Sequence, residues 1–320
     1  MSNRVVVIDS GYDSYEYEKN LLKSAGYQFE VFPGERHDRE GKMRFAKNAV
    51  GMFIRWTNIN DEFLNATPEL KAIVRYGVGY DNVDLEAVNK HRIKASNVQG
   101  YANHSVSDHA LALIYACSRL LKQGQENLKS HFGAPPDQNI SDLHTKTVGI
   151  IGLGRIGGTF CSKAKTLFKK VLAYDPYIPD SRFETLGAIK TDLDTLLKQS
   201  DVISIHCNLT PETENLINLD KIKLMAKKPV LVNTARGPVV NEDDILKALN
   251  ENMLFAAGLD VFYDEPPLEN RDALLNHPRI ITTGHYAWYS REASLELQKR
   301  AADNLLMMLQ NKIPEDCLNP

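Results

Sequence analysis

The chain has 320 residues, enough for two domains with cores of their own, and 25% of them are charged with a net charge of −3. That balance offers no basic surface for nucleic acid or for an anionic membrane, and no apolar run approaches the roughly 20 residues that a bilayer span requires. Four scattered cysteines form no Cys-x-x-Cys pair and no metal-spaced Cys/His cluster, and no leader-like segment is evident, which points to the reducing cytoplasm.

Val5-Val6-Val7-Ile8-Asp9 is a continuous apolar run of the kind that forms a buried parallel strand. A helix is expected around Tyr15 to Ala25, closed by Gly26, and then a strand at Phe29 to Phe32 that stops at Pro33-Gly34. Further strands are read at Ala49 to Ile54, Leu70 to Arg75 and Ile93 to Asn97, alternating with helices, so about the first hundred residues make one small parallel α/β unit. Ser105-Val106-Ser107-Asp108 reads as a helix start, with Ser105 capping and Asp108 in the first turn, followed by Ala110, Leu113, Ile114 and Cys117 at helical spacing.

After the polar loop Gly133-Ala134-Pro135-Pro136-Asp137 comes the stretch from Thr147 to Gly158, an apolar strand running into Gly-x-Gly-x-x-Gly at Gly152, Gly154 and Gly157. Gly152 would make the tight turn, Gly154 would admit a pyrophosphate close to the backbone, and Gly157 would let the helix pack on the strand. The phosphates would face the positive end of that helix. The next strand, Lys170 to Tyr174, ends at Asp175, about 18 residues beyond Gly157, near the spacing of an acid that grips an adenosine ribose. More strands follow at Val202 to Ile205, Val230 to Val232, Ala256 to Leu259 and Ile280 to Thr282, and a final helix from about Arg291 sets Ala293, Leu297, Ala301 and Leu305 on one stripe. With no chain left for another sheet, that helix is expected to pack back on the first domain.

Ligands of such sheets bind beyond the carboxyl ends of the strands, and there the second half of the chain places Arg236, Asp260, Glu265 and His285, with His206 after an earlier strand. An arginine can hold a carboxylate by its fork and polarise the neighbouring carbonyl. A histidine can give that carbonyl a proton as hydride arrives and take it back in reverse, and a carboxylate beside it favours the imidazolium. This set suits the dehydrogenation of a 2-hydroxy acid. Two choices stay open: Asp264 competes with Glu265 as the carboxylate, and His206 either lines the cofactor site or sits in the core.

From Ile73 onward the motifs, in their order, resemble the D-isomer-specific 2-hydroxyacid dehydrogenases. The resemblance rests on Gly77-Val78-Gly79-Tyr80-Asp81-Asn82, the stretch Ser105 to Leu113, the turn Gly152 to Gly157, Val232-Asn233-Thr234-Ala235-Arg236-Gly237, Gly258 to Phe262 with Glu265-Pro266, and His285-Tyr286-Ala287-Trp288-Tyr289-Ser290. The last string is most similar to the branch that includes the C-terminal-binding-protein corepressors and their bacterial relatives. The resemblance implies two doubly wound parallel-sheet α/β domains with a cleft between them: a flavodoxin-like substrate domain (1–101 and 290–320) and a Rossmann NAD-binding domain (102–289).

It further implies Arg236 as ligand of the substrate carboxylate, His285 as acid/base, Glu265 as its partner, and help from the backbone N–H groups of Val78 and Gly79. Arg155 would lie near the pyrophosphate with Ile156 beside it in the turn, Asp175 on the ribose, Asp260 on the nicotinamide carboxamide, and Thr234 and His206 along the cofactor. Asp175 favours NAD over NADP, because a carboxylate repels a 2′-phosphate. A homodimer joined through the NAD domain is implied as well. Gly284, Gln99 and Asn208 stand where the family commonly has proline. Arg55, after Met52-Phe53-Ile54, is a candidate for a second anionic group on the substrate, and Trp288 for an apolar or flat contact. Two other functions are compatible with the scaffold: an NAD(H)-sensing, corepressor-like binding module, against which the absence of a basic or disordered tail counts, and oxidation of another small anion such as phosphite.

Overall fold

The computed structural model describes residues 2–265 and 271–320. The chain divides into two compact units, Met1–Tyr101 with Ser290–Pro320, and Ala102–Tyr289.

In the first unit the described residues form a five-stranded parallel sheet from β1 (Arg4–Val7), β2 (Gln28–Val31), β3 (Ala49–Ile54), β4 (Ala72–Arg75) and β5 (Lys94–Ser96), in the order β2-β1-β3-β4-β5. The order reverses between β1 and β3, which makes that pair the topological switch point. β3 is buried along its whole length, as its unbroken apolar sequence requires of a central parallel strand. The helix Glu16–Ser24 ends as expected: Gly26 takes φ +86°, and Tyr27 N–H reaches back to the Leu22 carbonyl at 2.9 Å. The last helix, Arg291–Leu309, buries Ala293, Leu297, Ala301 and Leu305 and packs on β3 and β4, the docking expected of it. A β-carbon on Gly51 of β3 would lie 3.2 Å from Leu309 Cδ1 and 3.3 Å from Leu305 Cδ2, so the glycine sets how closely this helix approaches. Buried Asn304 fastens it further, donating to Ser96 Oγ and the Asn97 carbonyl at 3.0 and 3.1 Å.

The second unit holds a seven-stranded parallel sheet among the described residues: β6 (Thr147–Ile151), β7 (Lys170–Tyr174), β8 (Ile189–Lys190), β9 (Val202–Ile205), β10 (Val230–Asn233), β11 (Ala256–Leu259) and β12 (Ile280–Thr282), ordered β12-β11-β10-β9-β6-β7-β8. Here the switch point lies between β6 and β9. Each face carries its own core, with Val148 and Ile150 of β6 in one and Ile151 in the other, the alternation of a strand covered on both sides. The helix Asn103–Ser118 covers the first face through Ala110, Leu113, Ile114 and Cys117.

One local expectation is corrected. That helix begins at Asn103 after Ala102, with no side-chain cap and no acidic residue in its first turn, so Ser105 is not its cap and Asp108 is not in the first turn. Buried Ala102 and Val106 extend the apolar stripe back by a turn. Lys163 Nζ takes Ser107 Oγ and Asp108 Oδ1 at 2.7 and 2.6 Å, giving those polar groups a partner on the neighbouring helix instead. Tertiary packing outweighs the local capping signal.

Candidate active site

At the end of β6, Gly152 has φ +88°, and a β-carbon there would lie 2.6 Å from the Cys207 amide nitrogen. A β-carbon on Gly157 would lie 2.0 Å from the Gly152 carbonyl oxygen, whereas one on Gly154 would meet no atom within 4 Å. Two glycines are therefore needed for close packing, and the middle one leaves open space over the start of the helix Arg155–Ala164. Asp175 stands at the end of β7, with Oδ2 accepting from Leu153 N–H at 2.8 Å and Oδ1 from Tyr177 N–H at 3.0 Å. It thus holds the turn and retains acceptor capacity, since a carboxylate offers about four lone-pair sites. Beside it lies an open depression of about 400 Å³ whose lining includes Gly154, Arg155, Pro179 and Arg182; nothing in the sequence had singled out Arg182.

After β9, His206 is hydrogen-bonded through Nε2 to Ser204 Oγ at 2.9 Å and lies tilted on Phe160, 4.9 Å between ring centres. Burial pushes its pKa down to about 3, so the ring is neutral. Its Nδ1 and the Thr234 hydroxyl at the end of β10 are buried without a hydrogen-bond partner. The open glycine, the spare acceptors of Asp175 and these two orphaned polar atoms stand at the ends of adjacent strands, and together they fit a dinucleotide.

The chemistry-bearing residues follow on β10, β11 and β12. Asn233, fully buried, accepts from Ala235 N–H at 3.0 Å and donates to the Arg236 carbonyl at 2.8 Å, so its side chain shapes the turn that carries Arg236. A β-carbon at Gly237 would lie 1.9 Å from the Phe262 carbonyl carbon and oxygen, which means the two loops touch backbone to backbone. Phe262 N–H in turn donates to Glu265 Oε1 at 2.8 Å, and Glu265 Oε2 is hydrogen-bonded to His285 Nδ1. Burial raises the Glu265 pKa, but the His285 hydrogen bond and charge, the Phe262 N–H and the charge of Arg236 together carry it below its ordinary value of 4.5. The pair is half open, with 41% side-chain exposure for His285 and 27% for Glu265, so a substrate can reach the ring.

His285 itself adopts φ +53°, a left-handed conformation uncommon for a residue with a β-carbon. Asp260, buried at the end of β11, stabilises it: His285 N–H donates to the Asp260 carbonyl at 2.7 Å, and the Asp260 carboxylate accepts from Thr283 Oγ1, Tyr286 N–H and Ala287 N–H at 2.6, 3.2 and 3.0 Å. His109 adds to this network through Thr283 Oγ1 at 2.9 Å, and Trp288 donates its indole N–H to the His285 carbonyl at 3.1 Å. Trp288 therefore braces the histidine loop. Asn233, Thr283 and His109 had no assigned role in the sequence, although Asn233 and His109 lie within the quoted motifs. Of those motifs, Pro266 lies outside the described residues.

In the first unit, Arg55 follows β3 and its guanidinium lies over the Tyr12 and Trp56 rings at 5.4 and 5.2 Å. Its backbone is held by Asp9, whose Oδ2 accepts from the N–H groups of Arg55, Trp56 and Thr57 at 2.8, 3.0 and 2.9 Å. Asp9 Oδ1 takes Lys42 Nζ at 2.7 Å and Thr57 Oγ1 at 2.6 Å. Burial raises the Asp9 pKa, and these hydrogen bonds more than reverse it, leaving the carboxyl below its ordinary 3.8. No local signal links Asp9 to Lys42 in sequence. Val78 and Gly79, half-buried, follow Gly77, which has φ +131°, and the Val78 carbonyl accepts from Asn97 Nδ2 at 2.6 Å.

Comparison with known proteins places the family and the fold. Residues 111–287 match the family model of the D-isomer specific 2-hydroxyacid dehydrogenase, NAD binding domain. The chain is 34% identical over 297 residues to a glyoxylate/hydroxypyruvate reductase B of Serratia proteamaculans, covering 91% of this chain and 90% of that protein. It is 33% identical over 301 residues to a D-3-phosphoglycerate dehydrogenase of Archaeoglobus fulgidus, where the match takes in 94% of this chain but only 56% of that longer protein. The crystal structure of a D-lactate dehydrogenase from Aquifex aeolicus, complexed with NAD and lactic acid, superposes with a TM-score of 0.85 at 27% identity over 96% of each chain. The chain belongs to the D-isomer-specific 2-hydroxyacid dehydrogenases, a family with an NAD-binding domain.

Proposed function

We propose that the protein interconverts a 2-oxo acid and the corresponding D-2-hydroxy acid. The observation that carries this reading is the Glu265–His285 pair, half open and locked by loop contacts to the turn that bears Arg236. Bound NAD would supply the hydride acceptor, and NADH the donor. Arg236 grips the substrate carboxylate with its fork and draws electron density from the neighbouring carbonyl. Glu265 occupies His285 Nδ1, which leaves Nε2 to pass a proton to the carbonyl oxygen during reduction and to recover it during oxidation, a contribution of about 10²–10⁴ in rate. Glu265, already ionised, offsets the charge on the protonated ring.

Arg155 and the Gly152–Gly157 turn receive the pyrophosphate, with Ile156 in the same turn, and Asp175 the adenosine ribose. Neutral His206 and Thr234 line the cofactor, and Asp260 offers its remaining acceptor site to the carboxamide. Arg55 meets a second anionic group on the substrate. The exposed apolar side chains of Leu121, Leu128 and Phe132 in the NAD domain support a homodimer formed through that domain. The four free cysteines suit a cytoplasmic location, and among the described residues no helix is long and apolar enough to cross a membrane.

The test is NADH absorbance with a panel of 2-oxo acids, the product resolved on a chiral column. Consumption of NADH with formation of the D-hydroxy acid is the expected result. No turnover of any 2-oxo acid would overturn the reading; NAD reduction by phosphite alone, or NADH binding without turnover, would favour the two alternatives in turn.

A further inference from the structure

The first unit has a switch point of its own, between β1 and β3, and on its β1 side the Asp9 carboxylate is saturated by its own hydrogen bonds. The loop after β1 lies against the residue after β3: a β-carbon at Gly11 would lie 2.6 Å from Arg55 Nη1. Next in that loop, Tyr12 packs edge-on against Tyr15 and Tyr76, with ring centres 5.7 and 5.2 Å apart, and carries the Arg55 guanidinium over its face. The neighbouring hydroxyls are engaged, Tyr15 accepting from Gly11 N–H at 3.0 Å and Tyr76 donating to Glu18 Oε1 at 2.9 Å. The Tyr12 hydroxyl is buried without a partner. Burial holds it protonated, far above the usual phenol range, although the charges of Arg55 and Arg75 pull the other way. A protonated donor with no acceptor, under the Arg55 guanidinium where β1 and β3 end, is matched to an anion.

We propose that Tyr12 is a specificity-determining residue, its hydroxyl donating together with the Arg55 guanidinium to a second anionic group of the substrate, a phosphate or a second carboxylate. The assignment rests on the dehydrogenase reading above. It extends the anion contact from one residue at the end of β3 to a two-sided subsite built from β1 and β3. Because the Tyr12 ring is already fixed by its packing, little is lost in ordering the donor when the anion arrives.

Tyr12→Phe keeps the ring and its packing and removes only the hydroxyl. NADH oxidation by the full chain is followed with pyruvate, which has one anionic group, and with oxaloacetate and 3-phosphohydroxypyruvate, which have two. The unaltered protein is expected to favour one of the doubly charged acids. In Tyr12→Phe the ratio of its kcat/KM to that for pyruvate is expected to fall by about tenfold or more, the scale of one hydrogen bond to a charged group, and chiefly through KM. A ratio that does not change overturns the proposal, even if both values drop together, since a merely structural role lowers both alike. Turnover of pyruvate with none of the doubly charged acids also overturns it while leaving the dehydrogenase reading intact. Turnover of no 2-oxo acid removes both.

Discussion

Each unit sets a carboxylate against a nitrogen base near its strand ends, and the two pairs are built in opposite ways. Asp9 and Lys42 are sealed, with 0% and 3% side-chain exposure, while Glu265 and His285 keep 27% and 41%. Asp9 accepts from three backbone N–H groups, a hydroxyl and the ammonium, so no acceptor site is left for a ligand. Glu265 has one oxygen pinned by Phe262 and the other on the histidine, which stays within reach of solvent. Saturation and burial mark the first pair as scaffold for the Arg55 loop, and the partial exposure of the second is what its proposed chemistry requires. Charge pairing alone would not have told them apart.

The largest expected effect comes from breaking the sealed pair. Asp9→Asn strands a buried ammonium and should cost about 3–5 kcal/mol in urea unfolding, whereas Asp9→Leu combined with Lys42→Met should recover much of that loss. An equal loss in the double variant would mean that the three backbone N–H groups, not the ion pair, carry the stability. Next is Gly237→Ala, whose β-carbon meets the Phe262 backbone; a cost of about 1–3 kcal/mol is expected, with a parallel fall in kcat/KM as the Arg236 turn moves away from the Glu265 loop. Arg236→Lys keeps the charge and loses the fork, so kcat/KM should drop by about tenfold or more with the melting temperature unchanged.

The smallest effect is the pH response. Both carboxyls titrate below their ordinary values of 3.8 and 4.5, so each contributes fully above those values and gives up its contribution as pH falls through its own lowered pKa. Stability should therefore hold from neutrality to about pH 5 and fall below that, with Asp9→Asn and Glu265→Gln each flattening the acid limb.

The strands were legible because parallel strands buried on both faces are continuous apolar runs; Lys170–Tyr174 and Ile280–Thr282 fall where the sequence placed them. The edge strand Ile189–Lys190, two residues and both exposed, carries no such signal. Ser105 and Asp108 look like the cap of the helix Asn103–Ser118, but buried Ala102 and the ion pair of Asp108 with Lys163 set its start earlier. At the candidate site the proposed contacts Asp175, Arg236 and His285 are readable as polar groups after strand ends, whereas Arg182, on the helix Asp180–Leu186, is not. Of the residues that hold them, Glu265 is readable and Asn233, Thr283 and His109 are not. Asp260 reads as a ligand contact yet spends three hydrogen bonds on the His285 loop, and Asp9 joins Lys42 across a separation that no local pattern spans.

On the proposed reading the half-open pair performs chemistry and the sealed pair does not. The kcat of His285→Asn with NADH and the best 2-oxo acid, measured at a matched folded fraction, decides between them. Asparagine tolerates the left-handed backbone at this position, so the fold should survive. A fall of about 10²–10⁴ in kcat is the predicted result, and turnover equal to that of the unaltered protein would contradict it.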